Sequence, residues 1–157
     1  MENSYLLLKM LHIFGMIIFV GNIIVTAFWK VMADRTRDPG ITAFAQKLVN
    51  WTDFAFTSLG AFIILVTGLM MGADITDHLL EVKWTAWGIG LFLASGLVWA
   101  AILFPLQVKQ AWMAREFKYD HNIPERYWRL GKIWIWVAMV AIALALANLY
   151  FMVVKPL

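Results

Sequence analysis

The stretch Tyr5-Leu6-Leu7-Leu8-Lys9-Met10-Leu11-His12-Ile13-Phe14-Gly15-Met16-Ile17-Ile18-Phe19-Val20-Gly21-Asn22-Ile23-Ile24-Val25-Thr26-Ala27-Phe28-Trp29 decides the fold. Only Lys9, His12 and Asn22 interrupt its apolar character. About 20 apolar residues suffice for a helix to cross the hydrocarbon of a bilayer, so this run spans with some tilt. It is too long for a signal-peptide core, and the preceding Met1-Glu2-Asn3-Ser4 lacks a basic n-region, so a retained helix is expected.

Three further runs share that character: about Trp51 to Ala73, Trp84 to Leu106 and Gly131 to Val154. The chain has 157 residues, 62% of them hydrophobic and 15% charged, with a mean hydropathy of +0.74. Soluble domains are about half apolar and about a quarter charged, so the sequence describes one integral membrane domain. The expected class is all-α, with four transmembrane helices in an antiparallel bundle. The absence of cysteine excludes disulfides, iron–sulfur clusters and thiolate zinc sites.

The polar stretches between the runs differ in charge. Lys30 to Asn50 contains Arg35-Thr36-Arg37-Asp38-Pro39-Gly40, where Pro-Gly marks a turn followed by a short amphipathic helix. Asp74 to Lys83 is short and acidic, so the second and third spans form a tight hairpin. Residues 107–130 interleave basic and aromatic side chains and read as an interfacial connection, with Pro124-Glu125 opening the last helix. The first and third connections carry Lys30, Arg35, Arg37, Lys47, Lys109, Arg115, Lys118, Arg126, Arg129 and Lys132, against Lys9, Lys83 and Lys155 on the other side. Positive charge collects on the cytoplasmic side, which places both termini on the periplasmic side of a bacterial cytoplasmic (inner) membrane. Trp51, Trp84, Trp87, Trp128 and Trp134 near the span ends read as an aromatic belt. The net charge of +3 serves topology and lipid headgroups, not nucleic acid.

Polar groups in hydrocarbon are costly and normally face the interior, so their spacing shows the packing faces. His12, Gly15, Phe19, Asn22 and Thr26 form one helical stripe, and Asp53, Thr57, Gly60, Ile64 and Thr67 a second. Gly88, Phe92, Ser95 and Trp99 mark the third span, and Ala138, Ala141, Ala145, Asn148 and Met152 the fourth. Gly68–Gly72 and Gly96–Ala100 are small-xxx-small pairs that permit close helix contact. By depth, His12, Thr67 and Asn148 share one layer, while Asn22, Thr26, Asp53 and Thr57 form another, with Asp53 in reach of Lys30 or Lys132 for an ion pair. His12 is the one histidine within a span. A neutral imidazole there is a metal ligand, a proton relay or a packing residue bonded to a neighbour such as Asn148. His78 and His121 fall in connections and are expected to be solvated. Met16, Met70, Met71, Met139 and Met152 read as core filler or as axial partners to a haem on His12. No P-loop, paired buried carboxylates or serine–histidine–carboxylate set is present.

The segments Leu7-Leu8-Lys9-Met10-Leu11-His12-Ile13-Phe14-Gly15, Gly21-Asn22 through Trp29-Lys30 and Ala33-Asp34-Arg35-Thr36-Arg37-Asp38-Pro39 resemble an uncharacterised bacterial family of predicted four-span integral membrane proteins, a domain of unknown function. Thr52-Asp53, Thr67-Gly68-Leu69 and Phe104-Pro105-Leu106-Gln107 extend the resemblance over nearly the whole chain. A more distant likeness, to HemJ-type protoporphyrinogen oxidases, rests on Lys9 to Gly15, Lys83 and Val154-Lys155-Pro156, with Glu81 where those enzymes carry a histidine. That likeness implies haem b, with His12 as its iron ligand.

Two functions follow as expectations. The first is an accessory or structural subunit of a larger redox or bioenergetic membrane complex, which contacts lipid and either other subunits or further copies of itself through its aromatic outer faces. The alternative is a b-haem or porphyrin-binding redox protein with His12 as axial ligand and Asn148 and Met152 nearby.

Overall fold

A bilayer interior offers the backbone no hydrogen-bond partner, so each apolar run must satisfy its own amides by coiling into a helix. The computed structural model describes residues 2–73, 79–120 and 122–156, and among these residues it is all-helical. The elements are α1 (Glu2–Thr36), α2 (Pro39–Thr52), a first π-helical segment (Asp53–Thr57), α3 (Ser58–Ala73), α4 (Lys83–Val98), a second π-helical segment (Trp99–Leu103), α5 (Phe104–Asp120) and α6 (Glu125–Val154). Because the π segments are continuous with their flanking helices, these elements make four long helices, each apolar enough to cross a membrane.

The helices outrun the spans read from hydropathy. With 35 residues, α1 is about 52 Å long, whereas a hydrocarbon core is about 30 Å thick. The polar stretches expected as connections are therefore largely helical: α1 continues through Lys30 and Asp34, and α5 carries 107–120. The expected turn at Pro39-Gly40 shifts two residues back. Arg37 adopts a positive φ of 54°, and Asp38 caps α2 by accepting from the Ile41 amide at 2.8 Å. Pro39 then occupies the first helical turn, where its missing N–H costs nothing. Pro124 stands one position earlier relative to α6, as its N-cap residue in an extended conformation.

The second π segment has a cause in the sequence. Pro105 has no N–H to give the Ala101 carbonyl, so the helix accommodates it by widening over Trp99–Leu103. In the first, the Ser58 hydroxyl donates to the Asp53 carbonyl at 3.4 Å, five residues back.

Contacts run α1 to α3 and α4 to α6 at one end, and α2 to α5 and α1 to α2 at the other, with α6 touching both α1 and α5. Gly60 is the tightest point of the α1–α3 contact: a Cβ there would lie 2.9 Å from both the Gly15 carbonyl and the Phe19 amide. The core of Val49, Leu103, Trp134, Ala138 and Ala141 lies beside the π segments, and a second cluster of Ala43, Ala114, Phe117 and Tyr127 lies toward the basic end. Trp134 thus belongs to the core and not to an aromatic belt, because its spacing to Ala138 and Ala141 puts it on the inward stripe. Met70 and Met139 turn outward, so they fill no core gap. Tyr127, expected at the interface, is fully buried and meets the Phe117 ring edge-on at 5.1 Å.

Candidate functional site

Buried polar side chains line the interior in three groups. At the basic end, the Lys30 ammonium donates to the Tyr127 hydroxyl at 3.0 Å and to Asp34 Oδ2, one turn along α1, at 3.3 Å. Its Nζ also lies 5.0 Å from the Tyr127 ring centroid and 5.9 Å from that of Trp134. Tyr127 passes its own proton to Gln46 Oε1 at 3.2 Å. Lysine stems are long enough to reach water from such a depth, yet this one is fully buried. It is held by a carboxylate, a phenol and two aromatic faces.

The middle group sits at the two π segments. Asn22 Nδ2 donates to Asp53 Oδ1 and to Thr57 Oγ1, both at 2.9 Å. Thr57 in turn donates to Asp53 Oδ1 at 3.3 Å, and Gln107 Nε2 donates to Asp53 Oδ2 at 2.5 Å. Asp53 is 6% exposed and accepts from three donors on α1, the first π segment and α5. The expected ion pair with Lys30 or Lys132 is not formed. Lys30 is taken by Asp34 and Tyr127, and neutral amides and a hydroxyl serve Asp53 instead. Asn50 and Gln46 both approach the Gln107 carbonyl, at 3.4 Å and 3.5 Å, linking the middle and basic groups through α2. Thr26, one turn from Asn22, donates to the Asn22 carbonyl at 2.8 Å.

The third group is a pair. His12 Nδ1 lies 2.9 Å from Thr67 Oγ1, whose proton goes to the Ile63 carbonyl at 2.5 Å, so the imidazole is the donor in its Nδ1–H tautomer. The ring packs on Gly68, where a Cβ would stand 3.2 Å from His12 Cε1. Asn148 and Met152 occupy a different helix contact, against Gly88 of α4, and the buried Asn148 Oδ1 has no hydrogen-bond partner. The three residues tied to a haem reading are thus divided between the α1–α3 and α4–α6 contacts. His78 and His121 lie outside the described residues.

A cavity of about 20 Å³ adjoins the middle group. Asp53, Thr26, Ser95, Gln107, Trp99 and Trp134 are among its lining residues. About 10–15 Å³ is enough for one water, so the space admits a particle of that size and nothing approaching a porphyrin.

The family model described as Predicted integral membrane protein (DUF2269) matches residues 6–156. The chain belongs to this family. DUF2269 membership and four long apolar helices together make it a multi-pass integral membrane protein. No curated protein and no solved structure matches it.

Gln46, Gln107 and Tyr127 are the residues that reading the sequence missed. Gln46, Asn50 and Asp53 recur at steps of four and three, the signal of one inward face. Treating 30–50 and 107–130 as connections hid that signal.

Proposed function

We propose that this DUF2269 protein is an accessory or structural subunit of a larger redox or bioenergetic membrane complex in the bacterial cytoplasmic membrane. Its helices would run antiparallel with both termini periplasmic, as the gathering of lysine and arginine at one end favours. The observation that carries the reading is the outer face of α4. Gly90 and Gly96 have open space where a Cβ would stand, and Ala94 and Ala100 beside them are exposed. Leu93 and Leu97, 59% and 69% exposed, stand between these two pairs of small residues on the same outer face. Lipid gains nothing from glycine, whereas a transmembrane helix gains close backbone approach, so a helix of another subunit suits this face. The polar side chains turn inward and hold the helices together, leaving the outer surface to recognition.

Solubilisation from the native membrane in mild detergent, with and without Gly96→Leu, tests the reading. Co-migration with a larger assembly is expected, weakened by the substitution with no change in thermal stability. Assemblies of this chain alone would replace the partner by a second copy, and a monodisperse free monomer in native-lipid nanodiscs would overturn the proposal.

A further inference from the structure

Hydrocarbon holds only part of the two long helices Pro39–Ala73 and Lys83–Tyr119. Their apolar runs are 51–73 and 84–106, each long enough to fill a core of about 30 Å. The remainder, 39–50 of α2 and 107–119 of α5, is also helical and extends about 18–20 Å further. Headgroups account for only about 5–8 Å of that on one side of a bilayer. At about 1.5 Å per residue, Lys47 and Lys109 lie in the headgroup layer, about 5–6 Å past the runs. Phe44, Trp112, Arg115, Lys118 and Tyr119 lie about 9–20 Å past them.

This outer stub has its own packed interior of Ala43, Ala114, Phe117 and Tyr127. Its surface is apolar as well as basic. Trp112, Arg115 and Tyr119, at steps of three and four, form one outward stripe of α5. Trp112 and Tyr119 are 63% and 77% exposed, and Phe44 on α2, which packs against α5, is 66% exposed. Large apolar side chains are satisfied by lipid, but past the headgroups they face water, where a group of them marks an interaction surface. Two cations are held against these rings: the Arg115 guanidinium lies 5.4 Å from the Trp112 centroid, and Lys118 Nζ 5.5 Å from that of Tyr119. Neither forms an ion pair among the described residues, so their N–H donors stay available.

Charge says what covers the stripe. Residues 35–50 and 107–132 hold nine lysines and arginines against Asp38, Glu116, Asp120 and Glu125, and Asp38 is committed to the Ile41 amide. A carboxylate-rich surface complements that excess, and tryptophan, tyrosine and arginine are the side chains that most often anchor protein interfaces. We infer that the outward stripe of α5, together with the exposed Phe44 of α2, docks an acidic segment of a partner protein. Its carboxylates meet Arg115 and Lys118, and its apolar side chains cover Trp112, Tyr119 and Phe44. Lys47 and Lys109 remain for lipid phosphates. The inference rests on the subunit reading above and gives it a second contact, outside the bilayer and distinct from the α4 face.

The chain has no cysteine, so Trp112→Cys and Tyr119→Cys can each carry a single nitroxide in the full chain, reconstituted in nanodiscs. Both labels should collide more with a water-soluble nickel chelate than with oxygen; the reverse would put the stripe in lipid and overturn the inference. A synthetic peptide of glutamate and leucine should bind the wild type saturably in zwitterionic nanodiscs, and more weakly as salt rises. Arg115→Gln and Trp112→Ala should each raise its Kd about tenfold, the loss of one anchoring contact. Lys155→Gln, at the other end of the protein, should leave the Kd unchanged. Gly96→Leu should also bind the peptide like the wild type, so a failure of the α4 contact is read separately from a failure here. A wild type that takes up no peptide, an affinity that neither α5 variant lowers, or tighter binding of an oligoribonucleotide than of the peptide would overturn the inference.

Discussion

The Lys30 ammonium reaches the Tyr127 hydroxyl at 3.0 Å across the interior, so a residue of α1 and one at the start of α6 share a fully buried charge-assisted hydrogen bond. Asp34 completes the group at 3.3 Å. Such a triad contributes little net stability compared with a well-packed apolar replacement, yet removing one member strands the others. Lys30→Met should therefore destabilise the protein by about 3–5 kcal/mol. Lys30→Met/Asp34→Leu should recover much of that loss. Unfolding in mixed detergent, followed by tryptophan fluorescence, would measure both.

Tyr127 holds a second role through the same oxygen, because its proton goes to Gln46 of α2. Tyr127→Phe keeps the ring contact with Phe117 and removes only the hydroxyl, which leaves Lys30 short of an acceptor and Gln46 short of a donor. An unsatisfied buried group costs about 1–3 kcal/mol, and that is the expected loss in the same unfolding measurement. A variant as stable as the wild type would mean that the hydroxyl is not the joint between α1, α2 and α6.

Glycines on two different faces give a paired prediction. A Cβ at Gly60 would meet the α1 backbone at 2.9 Å, whereas one at Gly96 would meet nothing within 4 Å. Gly60→Val should force α1 and α3 apart and cost about 1–3 kcal/mol, the usual range for overpacking. Gly96→Val should leave the isolated chain within about 0.5 kcal/mol of the wild type, as for other surface changes. Circular dichroism melts of the two purified variants would separate them.

The fold was legible because hydrophobic length and inward spacing are both written locally. His12, Asn22 and Thr26 on one stripe, and Asp53, Thr57 and Thr67 on another, are brought together by the α1–α3 contact and its continuation into the first π segment. The partner of each polar group was not legible, because it depends on how helices distant in sequence meet. Nothing near Asp53 in sequence points to Gln107, 54 residues away. Nor does hydropathy show that Lys30 and Tyr127 are buried: a charged or phenolic residue past a span end ordinarily reaches water, and here both lie where α1, α2 and α6 converge. Proline chemistry does foretell one feature, since Pro105 inside an apolar run implies a local widening of the helix.

His12 separates a packing role from a ligand role by experiment. Its Nδ1 donates to Thr67 and its ring lies on Gly68, so the imidazole fills the α1–α3 contact as a side chain with a polar anchor. On that basis His12→Ala should cost about 1 kcal/mol from the hydrogen bond together with the loss of packing. Thr67→Val removes the acceptor alone, and the double variant should show a coupling of about 0.5–1.5 kcal/mol, since the two substitutions delete one shared bond. The absorption spectrum of the purified protein should be the same in the wild type and in both single variants. A visible band present in the wild type and lost only in His12→Ala would instead make the imidazole an iron ligand, because Thr67→Val removes the hydrogen bond without removing the ring.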